Sequence, residues 1–297
     1  MPIRTEAVMG TLVTIQVVRS GAESDANAAI VDHAMDRAFG WFQEIESLCT
    51  RFSAESELMQ LTAHVGVPMP ASAILYEAVR FALLVAEESG GAFDPTVGLR
   101  MEGLGFNREH RTGEIVRTAI TPGDDVSFRD VQLDPGRKTI TLLRPLALDL
   151  GAVAKGLAVD AAARELEPFK DFAIDAGGDL YLAGSNEQGQ PWFVGIRHPR
   201  RAHELMASLR VSNQAVCTSG DYERGQHIVD PRQETSPVAV ASATVVAPGA
   251  MLADALATAA FVLGPQEGIH FLTRLGVEGL IVTPEMQQYQ TRGLRLA

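Results

Sequence analysis

Apolar positions recur along the chain at two spacings, and the changes between them mark out the elements. Leu12 to Val18 is rich in Val and Ile and follows the Gly10 turn, which predicts a strand. From Asp25 to Leu48, the residues Ile30, Ala34, Ala38, Trp41, Ile45 and Leu48 recur every three or four positions. That spacing predicts an amphipathic helix with one buried stripe, and puts Trp41 and Phe42 in the core. A second helix is predicted from Ala71 to Ser89, with Leu75, Ala78, Ala82 and Val85 on one face and the Gly90-Gly91 pair ending it. Residues 92–125 are polar and irregular, a length that points to a functional loop. Strands near Val126–Leu133 and Thr139–Leu143 flank the Asp134-Pro135-Gly136 turn, and Leu146–Leu150 leads through Gly151 into a helix reaching about Leu166. Phe172–Asp175, Leu180–Ala183, Trp192–Ile196, Met206–Val211, Val238–Val246 and Leu280–Thr283 read as strands. Ala250–Val262 and Pro265–Leu275 read as helices. Short hairpin-type strands mixed with helices predict an α+β fold, with mixed and antiparallel sheets flanked by helices. No break in the pattern marks a boundary. The expectation is one domain over residues 1–297, or two intimately packed α/β lobes with the active site between them.

Charge narrows the partners. Lysine and arginine number 25 against 37 acids, a formal net charge of -12. This argues against broad adhesion to nucleic acid or to an anionic membrane, but leaves room for a small anionic ligand held by local donors. The two cysteines, Cys49 and Cys217, are too few for a disulfide framework and read as small buried hydrophobes. The first 18 residues lack a basic stretch followed by an unbroken apolar run, and no lipid-attachment cysteine follows. The most apolar later stretch, residues 237–264, is interrupted by Pro248, Gly249 and Asp254, so strand–turn–helix is favoured over a membrane span. The expected location is the cytoplasm, or outside the cytoplasmic membrane if a leader was removed.

Four places combine glycines with acids or hydroxyls in ways a plain core does not need. In Leu148–Asp160 a helix begins after Gly151 with Lys155 in its early turns. Its free backbone donors suit a phosphate, and the competing reading is a packing helix with a snorkelling lysine. Neither GxxxxGK[ST] nor GxGxxG is present. In Asp175–Gly184 the pair Gly177-Gly178 lies between Asp175 and Asp179, as backbone passing close to a ligand requires, or as a tight hairpin requires. In Ala253–Phe261, Asp254 and Thr258 are four apart and share a helix face, half of an oxygen site suited to Mg²⁺ and poorly suited to Zn²⁺. The competing reading makes Asp254 a helix cap. In Cys217–Arg232, Ser219, Gly220 and Asp221 form a polar turn, and His227 precedes Ile228-Val229 and Asp230-Pro231. His227 has the most chemical context of the seven histidines, whereas His33, His110 and His203 look exposed. No HExxH or close Cys/His set exists, so zinc chemistry is not expected.

Nine ordered blocks together resemble the FAD:protein FMN transferase family, formerly grouped with thiamine-biosynthesis lipoproteins. They are RFSAESEL (51–58), SGGAFDPTVG (89–98), GLGF (103–106), LDLGAVAKGLAVD (148–160), IDAGGDLYLAG (174–184), PWFVGIRHP (191–199), AVCTSGDYERG (215–225), HIVDPR (227–232) and ADALATAAF (253–261). With MGT at 9–11, the resemblance runs to Leu263–Pro265. It implies a flavin transferase-like fold in which Asp254 and Thr258 carry Mg²⁺, helped by a backbone carbonyl near Ala152. Met9, with Asp94 and Thr96 of FDPTVG, would line the flavin pocket. Asp175, Gly177 and Gly178 would border the same cleft, with Ser219, Gly220 and Asp221 beside the nucleotide. Lys155 would face the phosphates and His227 the reacting phosphorus, as base or orienting group. The implied reaction is transfer of FMN from FAD to a Thr or Ser hydroxyl of a target protein, a flavin-dependent redox protein, with release of AMP. FAD pyrophosphatase activity and non-catalytic flavin binding are the alternatives, the second of which needs no metal pair. Two departures touch target contacts: only residues 223–226 separate the SGDY turn from HIVDP, and Gln233-Glu234 follow Asp230-Pro231-Arg232 where family members continue DPRTG.

Overall fold

A computed structural model of the chain describes residues 2–18, 25–110, 112–121, 125–222, 227–233 and 237–297, with backbone alone at 25–27. Its strands are Ile3–Val8 (β1), Thr11–Val17 (β2), Met69–Pro70 (β3), Val131–Asp134 (β4), Thr139–Leu142 (β5), Phe172–Ala176 (β6) and Asp179–Ala183 (β7). Trp192–Arg197 (β8), Leu205–Val211 (β9), Gln214–Gly220 (β10), Ser242–Ala247 (β11), Glu278–Val282 (β12) and Gln288–Gln290 (β13) follow. The helices are Asp25–Cys49 (α1), Glu57–Thr62 (α2), Ala73–Glu88 (α3), Gly98–Gly103 (α4), Gly151–Leu166 (α5), Ala250–Leu263 (α6) and Pro265–Arg274 (α7).

One antiparallel sheet carries the structure, in the order β1-β2-β6-β7-β10-β11-β12-β13. All six residues of β11 are buried, because both faces of the sheet are covered there. One face meets α5, α6 and α7, behind which α1 and α3 pack to complete the larger core. The opposite face meets the β8–β9 hairpin, where Trp192, Val194 and Ile196 pack with Leu209 and Val211 against Leu182, Val216, Val246, Leu280 and Val282. The alternation seen in the sequence of β8 is therefore realised, and the Trp192 indole N–H donates to the Ala183 carbonyl at 2.8 Å. A smaller antiparallel sheet, β3-β5-β4, lies in sequence between α2 and α5.

The contact between α5 and α6 fixes the working part of the molecule. Gly156 lets the helices approach so closely that a Cβ there would come within 2.6 Å of the Ala250 and Met251 backbone. Asp160, one turn further along α5, accepts hydrogen bonds from the N–H groups of Ala250 (2.6 Å) and Met251 (3.0 Å). It satisfies two of the orphan donors at the start of α6 and complements the positive end of that helix. Asp254 is therefore not the cap of α6.

The structure departs from the sequence expectations in several places. The buried stripe of α1 is Val31, Ala34, Met35, Ala38, Phe39, Phe42, Ile45 and Cys49, whereas Ile30 is exposed. Trp41 is half-buried and donates from its indole to Glu165. Residues 146–150 form no strand, Phe128–Asp130 is a 3₁₀ turn, and Val238–Ala241 precede β11 instead of belonging to it. Ser219 and Gly220 end strand β10 and are not part of a turn.

Candidate active site

A cavity of about 580 Å³ opens among the elements just described, within the roughly 300–1,000 Å³ typical of ligand sites. Its wall brings together residues far apart in sequence. Met9, Gly10 and Thr11 come from the β1–β2 turn, Thr50 to Phe52 from the end of α1, and Phe93, Asp94 and Val97 from the loop before α4. Leu150 to Ala152, Ala154 and Lys155 come from the start of α5, Ala176, Gly177 and Asp179 from the β6–β7 turn, and Thr218 and Ser219 from β10. His227 to Val229, then Asp254 and Thr258 of α6, complete it.

Asp254 and Thr258 lie one helical turn apart and both line the cavity. Thr258 Oγ1 is 3.1 Å from Ser219 Oγ, so α6 and β10 present a carboxylate and two hydroxyls to one region. Lys155 reaches across: its Nζ lies against the Asp179 carboxylate and 3.7 Å from Asp254 Oδ2. Both acids are buried, and the lysine supplies the countercharge such burial demands.

The start of α5 holds a different arrangement from the free donor cradle expected. Asp149 Oδ1 accepts from the Gly151 N–H at 2.8 Å, and the N–H groups of Val153 and Ala154 both turn to the Leu150 carbonyl. A carboxylate therefore already occupies the helix terminus. Asp149 is held in turn by Arg51, whose Nε donates to Oδ2 at 2.7 Å while the same guanidinium bonds the Phe106 carbonyl and stacks 4.4 Å over the Phe52 ring. The block RFSAESEL thus owes its first residue to this clamp.

The FDPTVG segment is organised by Asp94. It accepts from the Thr96 N–H (2.9 Å) and hydroxyl (2.7 Å) and from the Phe128 N–H (2.9 Å), capping the turn Pro95–Val97. Burial raises its pKa, against the pull of these bonds. Asp94 is in the cavity wall but spends its oxygens on backbone, and Thr96 is outside that wall.

The β6–β7 turn uses its glycines for space. Gly177 has φ +66°, and a Cβ there would overlap the Thr11 hydroxyl. Gly177 lines the cavity, as does the buried Asp179, the acid that follows the glycine pair. Asp175 is exposed and accepts from the Gly178 N–H at 2.9 Å, so neither Asp175 nor Gly178 reaches the wall. Gly220 and Asp221 are also outside it. The Asp221 carboxylate is gripped by both Arg200 nitrogens, at 2.6 and 2.7 Å. Ala152 is in the wall at the first turn of α5.

His227 is half-buried in the wall, with the Phe106 ring edge-on at 6.4 Å. His110, which looked like a surface histidine, also lines the cavity beside Glu46 (3.7 Å) and Glu109 (3.4 Å). Both cysteines are buried, and burial pushes the Cys49 thiol up to about 12 and Cys217 well above its ordinary value, so neither is a ready thiolate. Residues 223–226 and 234, where the chain departs from the resembled family, lie outside the described residues.

Solved structures sharing this architecture define its class. The ApbE protein from Thermotoga maritima superposes with a TM-score of 0.83 at 25% identity, covering 98% of this chain and 97% of that one. The flavin transferase ApbE from Vibrio cholerae gives 0.82 with the same coverage at 24% identity, a likeness of fold. The family model described as "ApbE family" matches residues 9–281, and the chain belongs to that family. Among curated relatives, the FAD:protein FMN transferase of Treponema pallidum is 32% identical, across 98% of this chain and 87% of its own length. That of Salmonella typhimurium is 29% identical across 95% and 84%.

Proposed function

We propose that this chain is an FAD:protein FMN transferase. It moves FMN from FAD to a threonine or serine hydroxyl of a target protein, releases AMP, and uses Mg²⁺. The observation that carries the reading is the oxygen set Asp254, Thr258 and Ser219, facing a cavity of about 580 Å³ in a member of the ApbE family. The names of the curated relatives support the flavin and the transfer.

The donor chemistry fits Mg²⁺. Among the described residues no three His, Cys, Asp or Glu side chains form a metal cage. A cage is unnecessary, because Mg²⁺ is held by one or two carboxylates together with substrate phosphates and water, whereas structural Zn²⁺ takes four nitrogen or sulfur ligands. Asp254 and Thr258 would hold it, with the Ala152 carbonyl beside them. When bound, Mg²⁺ withdraws charge from the phosphates and stabilises AMP as it leaves.

The chain's own residues do the rest. The apolar wall of Met9, Phe93, Val97, Met101, Ile228 and Val229 suits an isoalloxazine ring and excludes water from it. His227 orients the acceptor hydroxyl and takes its proton as oxygen bonds to the FMN-side phosphorus. The bond from that phosphorus to the bridging oxygen breaks, and AMP departs with the electron pair. The acceptor brings the nucleophile, so the enzyme needs no serine or cysteine of its own.

Incubation with FAD and Mg²⁺, with and without a candidate acceptor protein, tests this. Free AMP and covalently bound flavin should appear in equal amounts, and only with acceptor present. AMP without acceptor would make the protein a pyrophosphatase; no AMP in either case would overturn both catalytic readings.

A further inference from the structure

Three charged side chains from three elements meet in the cavity wall: Lys155 from α5, Asp179 from the first position of β7, and Asp254 from α6. The acids are 3% and 8% exposed, and the Lys155 ammonium lies against Asp179 and 3.7 Å from Asp254. Asp254 is also the carboxylate proposed for the divalent cation. An ammonium and a divalent cation a few ångströms apart repel, so Asp254 does not serve both equally. Lysine suits a shared role, because its charge is compact and its stem flexible, unlike the planar fork of arginine. Asp179 is where the ammonium rests, with Asp254 the more distant carboxylate. The Asp179 carboxylate is kept beside the cavity by the Gly177-Gly178 turn, which only glycine fits at 177.

We propose that Asp179 is the positioning residue that holds the Lys155 ammonium, and that Asp254 exchanges its longer contact with that ammonium for a divalent cation. The inference rests on the Mg²⁺ reading of the site. It assigns the two residues opposite effects on cation affinity, which a purely structural ion pair does not have. Losing either member of a structural pair would lower stability and affinity together.

The experiment is Mg²⁺ titrated by calorimetry into the folded protein, alone and with FAD, alongside thermal unfolding of each variant. Lys155→Met removes the competitor and should tighten Mg²⁺ binding about tenfold, as expected for one charge removed at short range under strong screening. Asp179→Asn releases the ammonium towards Asp254 and should weaken binding by about the same factor. Lys155→Arg keeps the charge and should not tighten binding. Should Asp179→Asn fail to fold, the double variant Lys155→Met/Asp179→Asn is expected to bind at least as well as wild type, and weaker binding by it overturns the exchange. Wild-type protein that binds no Mg²⁺ under either condition overturns the magnesium reading, and the exchange with it. Wild-type protein that binds Mg²⁺, with Lys155→Met weaker or Asp179→Asn tighter, overturns the exchange alone.

Discussion

His227 and Asp254 make different demands on chemistry and on binding, so their variants should fail differently. His227→Ala is expected to lower kcat by about 10²- to 10⁴-fold, the usual range for a lost general base, with the FAD dissociation constant changed less than about threefold. Equal losses in rate and affinity would assign His227 to binding alone. Asp254→Ala should abolish turnover at any Mg²⁺ concentration, and a steady-state assay over a range of Mg²⁺ checks this. At this scale the sequence was informative where chemistry lies within one helix turn. Asp254 and Thr258 shared a face by spacing alone. It was silent where a role depends on a distant partner. His110 sat among charged neighbours and is exposed as they suggest, yet it also lines the cavity, 3.7 Å from Glu46. Asp221 looked like a site residue until Arg200, 21 positions away, proved to hold it.

At the scale of elements, the helix pair α5–α6 is the part on which the site depends. Gly156→Ala should cost about 1–3 kcal/mol, because the new methyl meets backbone that has no rotamer to give way. Transfer activity should fall more than stability does, since the displaced helix carries Asp254. Urea unfolding and a transfer assay on one preparation would separate the two. The same packing explains which elements periodicity revealed. The helices α1, α3 and α5 and the strands β6 and β8 bury one clear face or stripe, α6 is buried almost all round, and all of these were legible within a few residues. Edge strand β1 alternates half-buried Arg4 and Glu6 with exposed Ile3, Thr5 and Ala7 and offers no apolar run. Strand β10 ends in Ser219 and Gly220, whose polarity suggests a turn; pairing with Ala243 and Ser242 of β11 overrides it.

For the whole molecule, buried acids set the response to pH. Burial raises the pKa of both Asp94 and Asp160 in the folded state. The folded protein then holds these protons to a higher pH than the unfolded chain does. Their contribution to stability is fullest below the ordinary carboxylate value, about 4, and declines as pH rises through the raised folded values. Asp160→Asn should therefore show a flatter change in urea midpoint from about pH 4 to 7 than wild type, on top of a loss of roughly 1–3 kcal/mol from a mismatched donor at the α6 start. A slope as steep as wild type would remove Asp160 from the titration.

The cavity wall begins at Met9, in the first turn of the chain, and ends at Thr258, on the penultimate helix. A polypeptide emerging from the ribosome thus holds only fragments of a binding surface until nearly all of it has been made. Under the proposed function, flavin capture becomes a property gained late in synthesis, and a prematurely terminated product does not sequester the dinucleotide it has no means of using.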